Sequence, residues 1–369
     1  MTWLAVPLYA HDRGLSGAQI GLLFSLPVVL QVAVNLVGGA YVDRVGGRRI
    51  MLGSSLMFTL GAAVLYVAEG FWSLFAGQLV LVLSRATFWP ANWSIASELP
   101  GDPSVQAGRL NATTSMGQIL GNGTCGFILA TAGFGTSFVV MGAMGLAAWG
   151  LGLGTPRTPP KDTGGRGLFA NYRALLRMPI LYYAVMCAYL AALPFSLSTS
   201  FYPLLLQYLG FGEEASGVLL ALRALGAIGA GLVVAKFVAT GPASPWPVIA
   251  GLAVAAAVGL MPMVTHWAAI GAFLLAVGVG SSLMTIYFQV TVTEVVAAEM
   301  RGSAMALGGM GWGISHFSTP LIMGMLADRY GIVSGFYVLG ALGLATVAIL
   351  GFLRQWAFSR TRLGSHAAP

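Results

Sequence analysis

Long apolar runs, separated by short polar or glycine-rich breaks, dominate the chain. A helix needs about 20 mainly apolar residues to cross the hydrocarbon core of a bilayer. By this measure the pattern predicts full-length spans over 18–42, 50–68, 71–97, 108–133, 136–154, 178–209, 215–239, 246–264, 268–296, 302–327 and 333–354. Half a span, MTWLAVPLYA, precedes them. The pattern therefore predicts an all-α polytopic membrane protein.

Composition agrees with a membrane protein, since the 369 residues are 57% hydrophobic and 8% charged. Soluble domains carry roughly 25% charged residues, which excludes that class. Cys125 and Cys187 both lie inside apolar runs, so neither a disulfide framework nor a metal site is expected. No G-x-x-x-x-G-K-[ST] loop is present, and no cofactor is expected.

The basic residues are distributed unevenly between the two sides of the predicted membrane. Of the 18, two (Arg13 and Arg329) fall on one side and two (Arg85 and Arg223) lie inside spans. The other 14 share the opposite side: Arg44, Arg48, Arg49, Arg109, the five in 155–177, Lys236, Arg301, Arg354, Arg360 and Arg362. By the positive-inside rule that side is cytoplasmic. The expected location is the cell membrane, with a cytoplasmic C-terminus and the lipid bilayer, not nucleic acid, as partner.

The two halves of the chain resemble each other at a constant offset of 196 residues. The offset aligns Gly14 with Gly210 and Gly21 with Gly217, and it also aligns Pro7 with Pro203, Leu26 with Leu222 and Glu98 with Glu294. Parallel repeats of six spans are a recurrent plan among transporters. Because the span holding Pro203 begins near residue 178, its counterpart would begin at 178 − 196 = −18. We therefore expect the first helix to be truncated as given, with about 19 residues missing from a complete span.

This organisation predicts two six-helix bundles. The N-terminal bundle covers 1–154, a cytoplasmic linker covers 155–177, the C-terminal bundle covers 178–354, and a cytoplasmic tail covers 355–369.

The loop after the first full span carries the motif G-x-x-x-D-R-x-G followed by two basic residues: Gly39, Asp43, Arg44, Gly46, Arg48 and Arg49. It resembles the signature loop of the major facilitator superfamily, with Gly47 where a basic residue is more usual. The resemblance implies alternating access between two bundles, with this loop as a cytoplasmic latch. As bare topology, charges beside a span need no function.

The same resemblance implies partners for the latch. Asp43 is expected to face the start of the span at 302–327, near Arg301 and Gly302. Either Arg44 or Arg48 is expected to reach Glu98.

Arg85 lies inside the span LVLVLSRATFWPANWS. A buried charge costs at least ~2.5–3.5 kcal/mol at mid-bilayer, so it normally faces the bundle interior or a cavity. Trp89 and Asn92, at i+4 and i+7, are expected on roughly the same face. The superfamily motif R-x-x-x-G has Trp89 in place of its glycine. The alternative is that Arg85 snorkels or pairs structurally.

The stretch GQILGNGTCG resembles an antiporter signature, G-x-x-x-G-P-x-x-G-G. Gly117, Gly121 and Gly126 match, whereas Asn122 and Cys125 replace a proline and a glycine. The resemblance implies drug–proton antiport; helix packing alone would also account for the glycines.

Further candidates for substrate or coupling sites lie in other spans. Arg223 and His316 are ionisable, and His316 is either a proton carrier or a neutral hydrogen-bonding histidine. Polar and aromatic candidates for the cavity lining are Gln31, Asn35, Tyr202, Tyr287 and Gln289. No acidic residue lies well inside a span, and the buried arginines favour an anionic or neutral, partly apolar substrate.

The sequence thus predicts a monomeric secondary active transporter for a small-molecule substrate, performing proton-coupled efflux by alternating access. The alternatives are an uptake transporter for an organic anion or sugar-like solute, and a non-transporting sensor or scaffold. An enzyme is not expected, because Ser315 and His316 are adjacent and point to different helix faces.

Overall fold

The computed structural model describes residues 1–100, 103–156, 172–231, 244–296 and 300–365, and almost every regular element in these ranges is α-helical. The helices are α1 (Thr2–Asp12), α2 (Gly17–Val45), α3 (Gly47–Tyr66), α4 (Phe71–Glu98), α5 (Pro103–Gly152), α6 (Tyr172–Leu175), α7 (Pro179–Ser198), α8 (Tyr202–Tyr208), α9 (Glu213–Gly229), α10 (Trp246–Leu260), α11 (Trp267–Val295), α12 (Arg301–Tyr330) and α13 (Ile332–Ser365). A 3-10 turn, Met261–Met263, follows α10. The all-α prediction is confirmed.

Eight stretches of the described helices are long and apolar enough to cross a membrane. One of them, Ala112–Gly152, overlaps most of the two predicted spans 108–133 and 136–154. These are separated at Gly133, whose φ of 74° and ψ of −177° interrupt α5. The predicted span 215–239 runs into residues 232–243, which lie outside the described ranges. The multi-pass character of the chain is confirmed.

The predicted continuous span over 178–209 is instead two helices, α7 and α8, separated by a turn. Pro203, at the start of α8, supplies the reason. Proline has no N–H to donate, and its ring clashes with the carbonyl four residues earlier, here that of Thr199. The helix therefore stops and starts again.

The internal repeat extends to the backbone. Gly14 and Gly210, which are 196 residues apart, both have positive φ, at 73° and 88°. The hydrogen bonds beside them also match. Leu15 N–H donates to the Ala10 carbonyl at 3.1 Å, and Phe211 N–H donates to the Leu206 carbonyl at 3.0 Å. The two segments thus share one turn geometry, as the sequence offset predicts.

The chain divides into two compact units. The first comprises Met1–Gly165, Ser198–Ala221 and Pro320–Asp328, and the second comprises Arg166–Leu197, Leu222–Thr319 and Arg329–Pro369. In the first unit, α3 packs against α4 and α5, and α2 packs against α4. In the second, α10 packs against α11 and α13. The sequence-based division at residues 154 and 178 stays a prediction.

Gly133→Ala tests the break within α5. The Gly133 backbone lies in a region that is essentially restricted to glycine, so alanine should cost about 1–3 kcal/mol of stability. Thermal unfolding in detergent measures this cost. The matched control is Gly123→Ala, because that glycine is also in α5, and an added Cβ there would meet nothing within 4 Å. Equal melting temperatures for the two variants would contradict the assigned break.

Candidate substrate site

A cavity of about 330 Å³ lies in the first unit among α1, α3, α4 and α5. Its apolar wall is mainly aromatic, with Trp3, Phe58, Phe88 and Trp89. Its polar lining consists of Thr2, Ser55, Ser84, Arg85, Thr114, Gln118 and Asn122. None of the described residues that line it is acidic. The cavity therefore combines aromatic surface with one permanently charged side chain.

Arg85 supplies that charge from α4. Its Nε is buried and has no hydrogen-bond partner. A guanidinium stays protonated in proteins and presents five donors in a planar fork. An unpartnered donor on a charged group is costly in an apolar medium. The arrangement favours a ligand that brings an anionic or strongly accepting group to Arg85.

The position of Arg85 is fixed by its neighbour in sequence. The Ser84 hydroxyl donates a hydrogen bond of 2.7 Å to the carbonyl of Ser54 on α3, and both side chains are buried. This bond ties α4 to α3 one residue before the arginine. The guanidinium is thus carried by a helix that is anchored locally.

The two residues predicted on the same face as Arg85 differ in position. Trp89 lines the cavity with Arg85, as the i,i+4 spacing predicts. Asn92 is not among the lining residues, and its Nδ2 donates to the Phe88 carbonyl of its own helix at 2.8 Å. The i+7 spacing places Asn92 one helical turn beyond the cavity.

The three signature glycines of α5 have different surroundings. Gly117 lines the cavity, and an added Cβ there would meet nothing within 4 Å. A Cβ on Gly121 would lie 3.3 Å from the Met1 nitrogen. A Cβ on Gly126 would lie 3.1 Å from the Cα of Glu214, at the start of α9. Gly126 therefore lies at a close contact between α5 and α9, whereas Gly117 faces open space.

The second unit holds a cluster of Arg223, Phe195, Trp312 and His316. Arg223 is 3% exposed, and its Cζ lies 5.3 Å from the centroid of the Phe195 ring. Trp312 and His316 are stacked, with centroids 5.6 Å apart and an interplanar angle of 21°. Phe195 contacts both, at 5.6 Å from Trp312 and 5.3 Å from His316. Arg223 thus makes a cation–π contact with Phe195, which lies edge-on to Trp312 and tilted against His316.

His316 has a defined tautomer in this cluster. Its Nδ1 lies 2.9 Å from the Trp312 carbonyl oxygen, which can only accept, so Nδ1 carries the hydrogen and donates. Nε2 is then the atom at which a second proton is gained or lost. The geometry is compatible with either role considered for this histidine.

The approach of α9 to α11 positions Arg223. An added Cβ on Gly278 of α11 would collide with the Arg223 carbonyl and lie 3.0 Å from the Ala227 nitrogen. Glycine at this position lets the two backbones touch. Arg223 is therefore held at a close helix crossing in the second unit.

The remaining lining candidates are dispersed. Tyr287 is buried and its hydroxyl lies 3.1 Å from the Ser244 hydroxyl. Tyr202 is buried in the first unit. Gln31 is half-buried, whereas Asn35 and Gln289 are exposed. Neither Gln31 nor Asn35 is among the residues that line the cavity of the first unit.

The loop between α2 and α3 is described in part. Gly46 ends α2 with a φ of 92°, as expected for the tight turn. Arg48 donates to the carbonyls of Gly152, at 3.4 Å, and Leu153, while Arg49 is exposed. The structure does not describe the surroundings of five residues of the predicted latch: Gly39, Asp43, Arg44, Glu98 and Arg301. The cytoplasmic latch stays a prediction.

Several residues of both sites were not predicted from the sequence. Trp3 and Phe58 line the cavity, and Phe195 contacts Arg223. Aromatic residues occur throughout the apolar runs, so nothing in the pattern distinguishes these three. Trp312 had a usable signal, because it precedes His316 by four residues and so shares its helix face.

The fold is that of a multi-pass helical membrane protein, and its first unit holds a cavity of about 330 Å³. The chain belongs to the Major Facilitator Superfamily, whose family model matches residues 1–320. The superfamily resemblance of the loop at residues 39–49 is thereby confirmed as an identification of the family.

Two other proteins are similar to parts of the chain. The quinolone resistance protein NorA of Staphylococcus aureus is 26% identical over 162 residues, which are 43% of this chain and 41% of NorA. The minor myo-inositol transporter IolF of Bacillus subtilis is 32% identical over 93 residues, which are 25% of this chain and 21% of IolF. The chain thus aligns with well under half of the length of either relative.

Solved structures resemble the whole chain. A bacterial homologue of the human lysosomal transporter Spinster, in an inward-facing and unoccupied conformation, has a TM-score of 0.69 and 18% identity, covering 98% of this chain and 92% of the homologue. A mutant of the nucleoside transporter NupG has a TM-score of 0.76 and 12% identity, covering 97% of this chain and 95% of NupG. At these identities the likeness shows the fold alone.

Gly117→Cys tests the cavity. The introduced thiol should react with a small maleimide in folded protein, because Gly117 lines open space. Cys125 and Cys187 are both 0% exposed and should stay unlabelled. Labelling is read by intact mass in lipid nanodiscs. Ser137→Cys, at a position that is 0% exposed on the same helix, is the matched control. No reaction at position 117, or equal reaction at both positions, would contradict the cavity.

Proposed function

We propose that this chain is a secondary active transporter that exports a small organic anion across the cell membrane, in exchange for protons, by alternating access. The observation that carries the proposal is Arg85, whose buried Nε has no partner in a cavity without an acidic side chain among its described lining. A carboxylate accepts a planar, bidentate pair of hydrogen bonds from a guanidinium. A bound anion would therefore accept hydrogen bonds from the guanidinium, whose Nε–H has no partner in the described structure.

The cavity walls favour an apolar, ring-bearing body for that anion. Trp3, Phe58, Phe88 and Trp89 offer aromatic faces and edges against which a planar ring can stack. The volume of about 330 Å³ falls at the lower end of ligand pockets, roughly 300–1,000 Å³. A compact aromatic acid is the substrate class that fits both properties.

The export direction is supported by similarity to NorA. NorA is named for quinolone resistance, and it is 26% identical to this chain over 162 residues. Quinolones are planar aromatic carboxylic acids, and their chemistry matches the charge and walls of the cavity. The glycines Gly117, Gly121 and Gly126, which resemble an antiporter signature, point in the same direction.

Proton coupling is assigned to the second unit. Histidine is the side chain whose ordinary pKa lies nearest to neutral pH, and His316 has a hydrogen-bonded Nδ1 that leaves the second proton to Nε2. Arg223 shares the cluster through Phe195. Proton binding at His316 would add a second positive charge to this group and so raise its electrostatic energy.

Uptake of a sugar-like solute is the second candidate function. It is favoured by the similarity to the myo-inositol transporter IolF, which is 32% identical over 93 residues. Ser55, Gln118 and Asn122 in the cavity wall would hydrogen-bond to hydroxyl groups.

We also propose that the C-terminus lies in the cytoplasm, because of the distribution of basic residues, and that the protein works as a monomer.

Arg85→Ala should weaken the binding of a quinolone carboxylate by about ten-fold or more, because a hydrogen bond to a charged group contributes roughly 1.5–3 kcal/mol. Arg85→Lys keeps the charge but loses the planar fork, and it should fall between wild type and alanine. Isothermal titration in detergent measures the Kd. Arg13→Ala, which removes an exposed arginine at the end of α1, is the control and should bind as wild type does. An unchanged Kd in Arg85→Ala would reduce Arg85 to a structural residue.

Transport itself is tested in proteoliposomes with an imposed pH gradient. We expect quinolone movement opposite to the proton flow, and we expect it to collapse when a protonophore dissipates the gradient. His316→Gln should retain binding but lose dependence on the gradient. Uptake of myo-inositol in place of quinolone exchange would favour the second candidate. Binding without movement of either compound would identify a sensor and contradict the transporter.

A further inference from the structure

The motif G-x-x-x-D-R-x-G occurs twice in the chain. Its second occurrence, at the end of α12, consists of Gly324, Asp328, Arg329 and Gly331, with the spacing found in residues 39–46. The internal repeat does not account for it, since Asp328 lies 328 − 43 = 285 residues after Asp43 and the repeat offset is 196. The second motif therefore needs its own physical explanation.

The two motifs end their helices in the same way. Gly46 follows α2 with a φ of 92°, and Gly331 follows α12 with a φ of 82°. Both conformations are readily accessible only to glycine. The two helices also have nearly equal lengths, of 29 and 30 residues. In each, the aspartate lies three residues before the left-handed glycine, at the carboxyl end of a long helix.

Asp328 caps the beginning of α2. Its Oδ1 accepts a hydrogen bond from the Gly17 N–H at 2.6 Å, and its Oδ2 accepts one from the Ala18 N–H at 2.9 Å. These are the first two N–H groups of α2, which have no partner within their own helix. A carboxylate at this position also interacts favourably with the helix dipole. Ser16 caps the next N–H, that of Gln19.

Glycines bring the two helices close enough for this contact. A Cβ on Gly324 would lie 2.9 Å from the carbonyl carbon of Gly17. A Cβ on Gly21 would lie 3.3 Å from the Cα of Gly324. Any larger side chain at these positions would push the helices apart and withdraw Asp328 from α2. The carboxylate and the glycines thus form one joint between the start of α2 and the end of α12.

We propose that this joint is a second latch, which closes the transporter at the end of α2 opposite to the Asp43 loop. The 29 residues of α2 separate the two ends by about 43 Å, at 1.5 Å per residue. Asp43, at the carboxyl end of α2, is expected to face the start of α12, while Asp328, at the carboxyl end of α12, holds the start of α2. Each helix then carries an aspartate for the amino end of the other.

The Asp43 latch and the Asp328 latch would act together during alternating access, and to that extent the inference rests on the proposed function. The two latches are made in different conformations, so that the Asp328 joint opens when the Asp43 contact forms. The equilibrium between the conformations is then set by the difference between two similar contacts. Weakening either latch shifts the population toward the state that the other one holds.

Hydrogen–deuterium exchange of the full chain in nanodiscs tests the Asp328 latch. Asp328→Asn removes the charge and one acceptor, and Asp328→Ser shortens the side chain beyond reach of α2. Each should speed exchange in the peptide holding Gly17 and Ala18 by about ten-fold, as expected for the loss of charge-assisted hydrogen bonds. Asp12→Asn removes another exposed acid from the end of α1 and should leave this peptide unchanged. Unchanged exchange in both Asp328 variants would overturn the latch.

Asp43→Asn supplies the reciprocal arm of the experiment. It should slow exchange at Gly17 and Ala18, because the conformation with the Asp328 joint formed then has a larger population. No change, or faster exchange, would overturn the coupling of the two latches.

Measuring solute flux as well distinguishes a failure of the latch from a failure of the proposed transport function. If exchange responds as expected but no solute moves in proteoliposomes, the latch stands and the transport proposal fails. If flux is proton-driven but exchange does not respond, the latch alone fails.

Discussion

The buried guanidinium of Arg85, beside a cavity with no acidic side chain among its described lining residues, is the constraint on which the candidate site depends. The hydrocarbon core of a bilayer solvates neither the charge of Arg85 nor its N–H groups, so the surrounding helices must provide space and polar surface for it. The described structure provides a cavity of about 330 Å³ but leaves Nε without a partner. Ser84 anchors α4 beside Arg85, so the charge stays in place. We propose that this donor makes the cavity selective for an anion.

Close contact between helix backbones is the second physical theme. Helices in a bilayer gain little from burying apolar surface against each other and associate through close packing and hydrogen bonds. Gly126 brings α5 to the backbone of α9, and Gly278 brings α11 to the carbonyl of Arg223. Gly324 brings α12 to Gly17, where Asp328 completes the joint. At Gly278 and Gly324 the close approach also positions a charged residue, Arg223 and Asp328 respectively.

The sequence predicted well what depends on local pattern or on charge. Apolar run length predicted the helices, and the 196-residue offset predicted matching turns at Gly14 and Gly210. Arg85 was identified because a charge inside a span is conspicuous. The break at Thr199 was missed because the apolar run continues through it, although Pro203 carried the signal. The aromatic walls, such as Trp3 and Phe58, could not be predicted, since their role depends on which helices become neighbours.

Paired ligands offer the most direct test of the central claim that Arg85 makes the cavity an anion site. An aromatic carboxylate and its carboxamide have nearly the same shape and differ in charge. We expect the wild-type protein to bind the carboxylate about ten-fold or more tightly by isothermal titration, and we expect this preference to vanish in Arg85→Ala. Equal binding of the two ligands by wild type, or an equal preference in the variant, would contradict the account.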